Sequence, residues 1–109
     1  MKKAGVYRPG GNGQFAAHHI IAKGALNSKL AREILQKHHI DIDSYWNGVY
    51  LPARYRPNMG TTHRGSHSID YYDNVNERLR IADQKGGKLA VLYALQEIRR
   101  ELSMGVLRL

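Results

Sequence analysis

Apolar residues recur at helical spacing in three segments of this chain, and this pattern limits the folds that it can adopt. The first predicted helix covers residues 26–38, with Asn27 or Ser28 as its cap. The last covers about residues 88–104. Between them, Thr61 or Thr62 can cap a helix with this set of apolar positions: Ile69, Tyr72, Val75, Leu79 and Ala82. The pair Gly86-Gly87 ends that helix.

Two short segments favour β-strands. Residues 15–21 are apolar around a histidine doublet, and residues 49–51 follow the turn dipeptide Asn47-Gly48 and stop at Pro52. The predicted fold is therefore a small α+β domain in which two strands support one site. Residues 1–13, with Pro9 and four glycines, are predicted to be a flexible lead-in to a single domain at 14–109.

Charge and histidine are concentrated in the same parts of the chain. The net charge is +8, and residues 1–32 and 44–69 contain no acidic residue. These two stretches hold four of the six histidines, namely His18, His19, His63 and His67. A positive surface with histidines suits a metal and a polyanionic partner such as nucleic acid, and the plain alternative is a solvated basic face.

Other compositional features exclude several classes of site. The chain has no cysteine, which excludes disulfides and thiolate zinc sites. Its longest apolar runs are far shorter than a membrane span, and its first residues lack an apolar signal core. We therefore predict no membrane association.

The histidines could bind one metal ion, although each pair poses a question. His63 and His67 stand four residues apart at the start of a predicted helix, where two imidazoles share a face and can chelate one ion. Two solvated histidines are the alternative. His18 and His19 would point to opposite faces of a regular strand, so either one is a core residue or the strand breaks there.

Several motifs together resemble a known nuclease family. They are Ala17-His18-His19, residues 40–43, residues 47–52, residues 63–67, and Tyr71-Tyr72 with Val75. This order is similar to that of the AHH nucleases, a branch of the HNH (ββα-metal) endonucleases that is common as C-terminal toxin modules of bacterial polymorphic toxins. The resemblance covers roughly residues 16–80 and implies a ββα-metal core of two strands and a helix, with flanking helices.

The resemblance also implies roles for individual residues. His18 would bind the metal and His19 would be the general base, which requires the first strand to end or distort at the doublet. Asn47 would brace the loop that holds the histidines without touching the metal. His63 and His67 would complete the metal site, with Asn58 as an alternative to His63.

The remaining polar and aromatic residues receive lesser roles. Arg64 is the best candidate for a second phosphate clamp, while Arg54 and Arg56 would follow the nucleic-acid backbone. His38-His39 is expected to end a helix, Trp46 to pack, and Tyr72 to lie in the core with Tyr71 nearer the metal. Asp41 and Asp43 would shape a turn, and a carboxylate there could support a histidine. Imidazole ligands suit zinc, nickel or manganese more than magnesium, which an open site could still accept.

These observations predict a metal-dependent, largely sequence-nonspecific DNA endonuclease. The resemblance implies a toxin module that is delivered within a larger secreted bacterial effector, acts in the target-cell cytoplasm, and is neutralised by an acidic immunity protein. The alternatives are a zinc-stabilised module that binds nucleic acid without cutting it, and a nuclease that prefers RNA. A monomer is expected, unless Leu89 and Leu92 widen an exposed apolar face on the last helix.

Overall fold

The computed structural model describes residues 15–52, 68–107 and 109, and its two strands form an antiparallel ribbon. Strand β1 is Phe15–His19 and strand β2 is Gly48–Pro52. In their register His18 lies opposite Val49 and His19 opposite Gly48. Pro52, which has no amide hydrogen to donate, is tolerated as the last residue of β2. The predicted lead-in at residues 1–13 lies outside the described residues.

Strand β1 stops at the histidine doublet, two residues earlier than the apolar pattern suggests. Ile20 and Ile21 follow it, and both side chains are buried, which the alternating faces of a strand with one solvent face do not allow. The amide of Ile20 donates to the carbonyl of Asn47 at 2.9 Å. The chain therefore leaves the ribbon just after His19, as the family resemblance requires.

Helix α1 spans Lys29–Lys37 after a short 3-10 turn at Leu26–Ser28. Its buried face consists of Ala31, Ile34 and Leu35, while Leu30 is 42% exposed. Ser28 occupies the cap position but does not cap the helix with its side chain. Instead its hydroxyl donates to the carbonyls of Ala22 and Ala25, at 2.8 and 2.9 Å, which closes the preceding loop onto the helix.

Helix α2 spans Ile69–Ser103, and its cap is Ser68. The Ser68 hydroxyl accepts a hydrogen bond from the amide of Tyr71 at 3.2 Å. The backbone of Ser68 is extended, so the helix begins at the next residue. The prediction of a cap at Thr61 or Thr62 was therefore wrong. The buried face also differs at its start, because Tyr71 is buried whereas Ile69 is 67% exposed.

A sharp kink divides α2 at the predicted glycine pair. Gly87 has φ 64° and ψ −143°, a conformation essentially restricted to glycine, and a Cβ on Gly86 would lie 2.7 Å from that of Ala90. The two halves fold back on each other, since Arg78 forms a bidentate ion pair with Glu101 at 2.8 and 2.7 Å. In a straight helix these residues would be about 35 Å apart.

The core lies between the ribbon, α1 and both halves of α2. It contains the buried apolar residues of all these elements and of the C-terminus: Ile20, Ile21, Ala31, Ile34, Leu35, Ile40, Val49, Leu51, Tyr71, Val75, Leu79, Val91, Leu95, Ile98, Leu102 and Leu109. The second half of α2 buries the face formed by Val91, Leu95, Ile98 and Leu102. None of the helices within the described ranges is long and apolar enough to cross a membrane.

Candidate active site

The histidine doublet lies at the end of β1, and its two side chains have different surroundings. His18 is only 5% exposed, whereas the side chain of His19 is 29% exposed. The two residues are the last two of β1, just before the chain leaves the ribbon. The buried ring and the accessible ring can therefore perform different tasks.

Asn47 fixes the chain on both sides of the site. Its side chain is fully buried, and its Oδ1 accepts from the amide of Ile21 at 2.8 Å. Its Nδ2 donates to the carbonyl of Ile21 at 3.1 Å and to that of Ile42 at 2.8 Å. The amide thus ties the segment after the doublet to the segment before β2, which is the bracing role that the resemblance implies.

His19 has an acidic partner on that second segment. Its Nε2 lies 2.7 Å from Oδ1 of Asp43, whose Oδ2 accepts from the ammonium of Lys23 at 2.9 Å. The hydrogen bonds from His19 and Lys23 lower the pKa of Asp43 from 3.8 to about 2, so this carboxyl is ionised at neutral pH. Asp41 shapes the turn, as predicted, because its Oδ1 accepts from the amide of Asp43 at 2.8 Å.

Tyr71 holds the backbone just after the doublet. Its hydroxyl donates to the carbonyl of Ile20 at 2.7 Å, and burial raises the pKa of this phenol. The prediction that Tyr72 lies in the core was wrong, because Tyr72 is half-buried whereas Tyr71 is 2% exposed. The prediction that Tyr71 lies nearer the metal stays a prediction, and its hydroxyl contacts the residue that follows the doublet.

Arg99 anchors the turn before β2, a role that sequence reasoning missed. Its Nε donates to the carbonyl of Gly48 at 2.8 Å and its Nη2 to that of Tyr45. Its guanidinium also lies 4.1 Å from the centre of the Tyr45 ring. Helical periodicity shows which face of α2 is buried, but not that a neighbouring arginine reaches carbonyls 51 and 54 residues away.

Trp46 and His38 make contacts that stabilise the fold. Trp46 packs edge-on against Tyr45, with 5.8 Å between ring centres, yet it is 39% exposed. His38 caps the end of α1, as predicted, and its Nε2 lies 2.6 Å from Oδ1 of Asp83 on α2. This pair joins the two helices away from the doublet.

Part of the positive charge in the first acid-free stretch is used within the fold. The guanidinium of Arg32 donates to the carbonyls of Ala22 and Ala25 and to the hydroxyl of Ser28. Lys23 is paired with Asp43. These contacts stabilise the loop between β1 and α1, so neither cation is wholly available to a polyanion.

The remaining predicted site residues lie outside the described part of the chain: Arg54, Arg56, Asn58, His63, Arg64 and His67. The described part of α2 begins at Ile69 after the Ser68 cap, and the prediction that His63 and His67 share a helix face falls outside the described residues. Within residues 15–52 and 68–109, excluding 108, no three His, Asp or Glu side chains are grouped closely enough to hold a metal.

The donor chemistry of the site nevertheless fits a divalent metal. His18 brings a shielded imidazole to the strand end, and a neutral imidazole is a ligand for zinc, nickel or manganese. The accessible His19 beside it is engaged by a carboxylate at one ring nitrogen. Two antiparallel strands and a helix, with adjacent histidines at the end of the first strand, are the arrangement that the resemblance implies.

The family comparison agrees with this geometry. The model of AHH, described as a nuclease family of the HNH/ENDO VII superfamily with conserved AHH, matches residues 1–102. The chain belongs to this family and is a nuclease, which gives it a nucleic-acid substrate. Nucleases of this superfamily are generally metal-dependent. The match extends beyond the predicted span of residues 16–80 and includes nearly all of α2.

A search of curated proteins and of solved structures found no match.

Proposed function

We propose that this chain is a metal-dependent endonuclease that hydrolyses DNA with little sequence preference. The observation that carries the proposal is the doublet itself, in which the buried His18 adjoins the accessible, carboxylate-bound His19. This arrangement separates the group that holds a cation from the group that takes a proton.

The proposed metal site has three imidazole ligands, from His18, His63 and His67. A bound divalent ion, whether zinc, nickel, manganese or magnesium, would neutralise charge on a non-bridging phosphate oxygen and on the departing 3′ oxygen. The protein's own part is to hold His18 in place, and the ribbon register and the Asn47 bonds do so.

His19 is the proposed general base. It takes a proton from a water molecule, whose oxygen forms a new bond to phosphorus while the bond from phosphorus to the 3′ oxygen breaks. The departing 3′ oxygen takes a proton from solvent. The products are a 5′-phosphate and a 3′-hydroxyl, so end-group analysis of the cleaved DNA checks the polarity of this step.

The substrate is proposed from charge. The net charge of +8 favours a polyanion, and Arg64, Arg54 and Arg56 are the proposed phosphate contacts. Contacts to phosphate carry no sequence information, which is why we expect little sequence preference.

The biological role that we propose is that of an antibacterial toxin module. It would reach the cytoplasm of a target cell as part of a larger secreted effector, and an acidic immunity protein would protect the producing cell. The basic surface supports this proposal, because an acidic protein would complement it and could cover the site. Expression in bacteria should fragment the chromosome, and growth unaffected by the active protein would argue against a toxin.

The enzymatic proposal is tested with metal-stripped protein. Plasmid DNA and a structured RNA are incubated in parallel with magnesium, manganese, nickel or zinc, and with chelator alone. We expect DNA to be nicked and then fragmented with at least one ion and left intact with chelator. Faster cleavage of RNA than of DNA would overturn the substrate assignment, and cleavage in chelator would overturn metal dependence.

A further inference from the structure

The described residues contain a continuous chain of polar contacts from His19 to Lys23 through Asp43. Oδ1 of Asp43 lies 2.7 Å from Nε2 of His19, and Oδ2 lies 2.9 Å from the Lys23 ammonium. Both carboxylate oxygens are therefore engaged, each by a different nitrogen. This leaves Nδ1 as the ring nitrogen of His19 that can act as a base.

The same buried amide holds both ends of the His19–Asp43 contact. Asn47 bonds to Ile21, two residues after His19, and to Ile42, the residue before Asp43. The Asp41 carboxylate also accepts from the amide of Asp43 at 2.8 Å. The backbone on both sides of the contact between ring and carboxylate is thus held by the fold.

We propose that Asp43 is a positioning residue that fixes the tautomer of His19, with the hydrogen on Nε2 and the lone pair on Nδ1. An ionised carboxylate is only an acceptor, so Nε2 must donate to it. Lys23 keeps the carboxylate in that orientation by occupying its other oxygen. The inference rests on the proposed role of His19 as the base, and names what makes that role possible.

A second contact in the structure provides a matched control. His38 and Lys37 bond to the two carboxylate oxygens of Asp83 at 2.6 and 3.0 Å, so the chemistry is the same. That cluster joins α1 to α2 through residues 37, 38 and 83. If such a cluster matters only beside the doublet, Asp83→Asn should change a tautomer without changing cleavage.

The test uses Asp43→Asn in two backgrounds. In the protein with Lys23, the ammonium can donate only to the amide oxygen, which turns that oxygen to Lys23 and the amide nitrogen to His19. Nε2 must then accept, the hydrogen moves to Nδ1, and the base is lost. In the Lys23→Met background the amide is free to turn, its oxygen can face Nε2, and the original tautomer can return.

Two readouts are combined. Long-range ¹⁵N–¹H NMR spectra of the imidazoles, recorded where the ring is neutral, report the tautomer without any substrate. Single-turnover cleavage of plasmid DNA gives the rate. We expect Asp43→Asn to place the hydrogen on Nδ1 and to slow cleavage about 10²-fold or more, within the usual contribution of a general base. In the Lys23→Met background the same substitution should slow cleavage at least severalfold less, and this comparison cancels any contact of Lys23 with DNA.

The proposal would be overturned by an unchanged His19 tautomer in Asp43→Asn, by a reversed tautomer with full activity, or by an equal loss of rate in both backgrounds. Activity lost equally in Asp83→Asn would also do so, because it would indicate a general loss of stability. Retention of full activity by His19→Ala is different, since it would remove the proposed base itself. The two failures can therefore be told apart.

Discussion

The side chain of Asn47 should contribute a large share of the stability of this domain. It is fully buried and makes three hydrogen bonds to backbone groups of Ile21 and Ile42. A net value of about 1 kcal/mol for each bond gives about 3 kcal/mol for Asn47→Ala. Backbone groups left unsatisfied in the core would raise this to about 5 kcal/mol, a large fraction of the roughly 5–15 kcal/mol that stabilises a typical domain.

A second substitution separates the effect of losing the Asn47 hydrogen-bond donors from the effect of losing the side-chain volume. Asn47→Asp keeps the acceptor for the Ile21 amide but sets an oxygen against the two carbonyls that Nδ2 now serves. We expect it to be at least as destabilising as the alanine variant. Asn74→Ala is the matched control, because Asn74 is exposed on α2 and its loss should change stability by less than about 0.5 kcal/mol.

The assay is urea unfolding followed by far-ultraviolet circular dichroism. Both Asn47 variants should unfold at a lower urea concentration than the wild type. The slope of the unfolding free energy against urea concentration should not change. A midpoint for Asn47→Ala within error of that of Asn74→Ala would refute it. That result would mean that the segments around the doublet hold together without the buried amide.

Further substitutions test other parts of the structure. Gly87→Ala places a side chain at φ 64° and ψ −143° and should destabilise the kink by about 1–3 kcal/mol, whereas Ser103→Ala at the end of α2 should not, as thermal unfolding would show. Arg99→Ala should lower the unfolding midpoint more than Arg100→Ala, because only Arg99 is bonded to the turn before β2. Hydrogen bonds from His38 and Lys37 hold the pKa of Asp83 below its usual value of 3.8. The ion pairs of Asp83 therefore stabilise the folded state fully above pH 3.8, and this stabilisation is lost as the pH falls through the lowered pKa. Stability of the wild type should therefore fall more steeply than that of Asp83→Asn below about pH 4; parallel acid titrations would contradict this. His18→Ala should weaken metal binding in calorimetric titrations at least tenfold, and unchanged affinity would remove His18 as a ligand.

The sequence was sufficient to predict the strands, the helices and the break between the last two. Short apolar segments and turn residues place β1 and β2 within two residues of their observed limits, and the kink lies at Gly86-Gly87 as predicted. The start of α2 was misplaced because serine and threonine are both common N-cap residues. Tyr71 and Tyr72 stand four and three residues before the buried Val75, so helical spacing alone does not choose between them.

The site was less accessible to sequence reasoning. Motif order predicts roles for His18, His19 and Asn47, because it gives the resemblance from which those roles are taken. It does not identify Arg99 or the pairing of Asp43 with His19, because these contacts join residues 51 and 24 positions apart and depend on how α2 folds back and how the turn before β2 closes. Long-range polar contacts leave no periodic signal in a sequence.

The proposal that His18 binds the metal while His19 acts as the base is tested most directly by one rate. It is the single-turnover rate of plasmid cleavage by His19→Ala at saturating metal. His39→Asn is the control, because His39 is exposed and asparagine tolerates its φ of 57°. If His19 is the base, its variant should cleave about 10²- to 10⁴-fold more slowly while the control cleaves like the wild type. Equal rates for all three proteins would contradict the account.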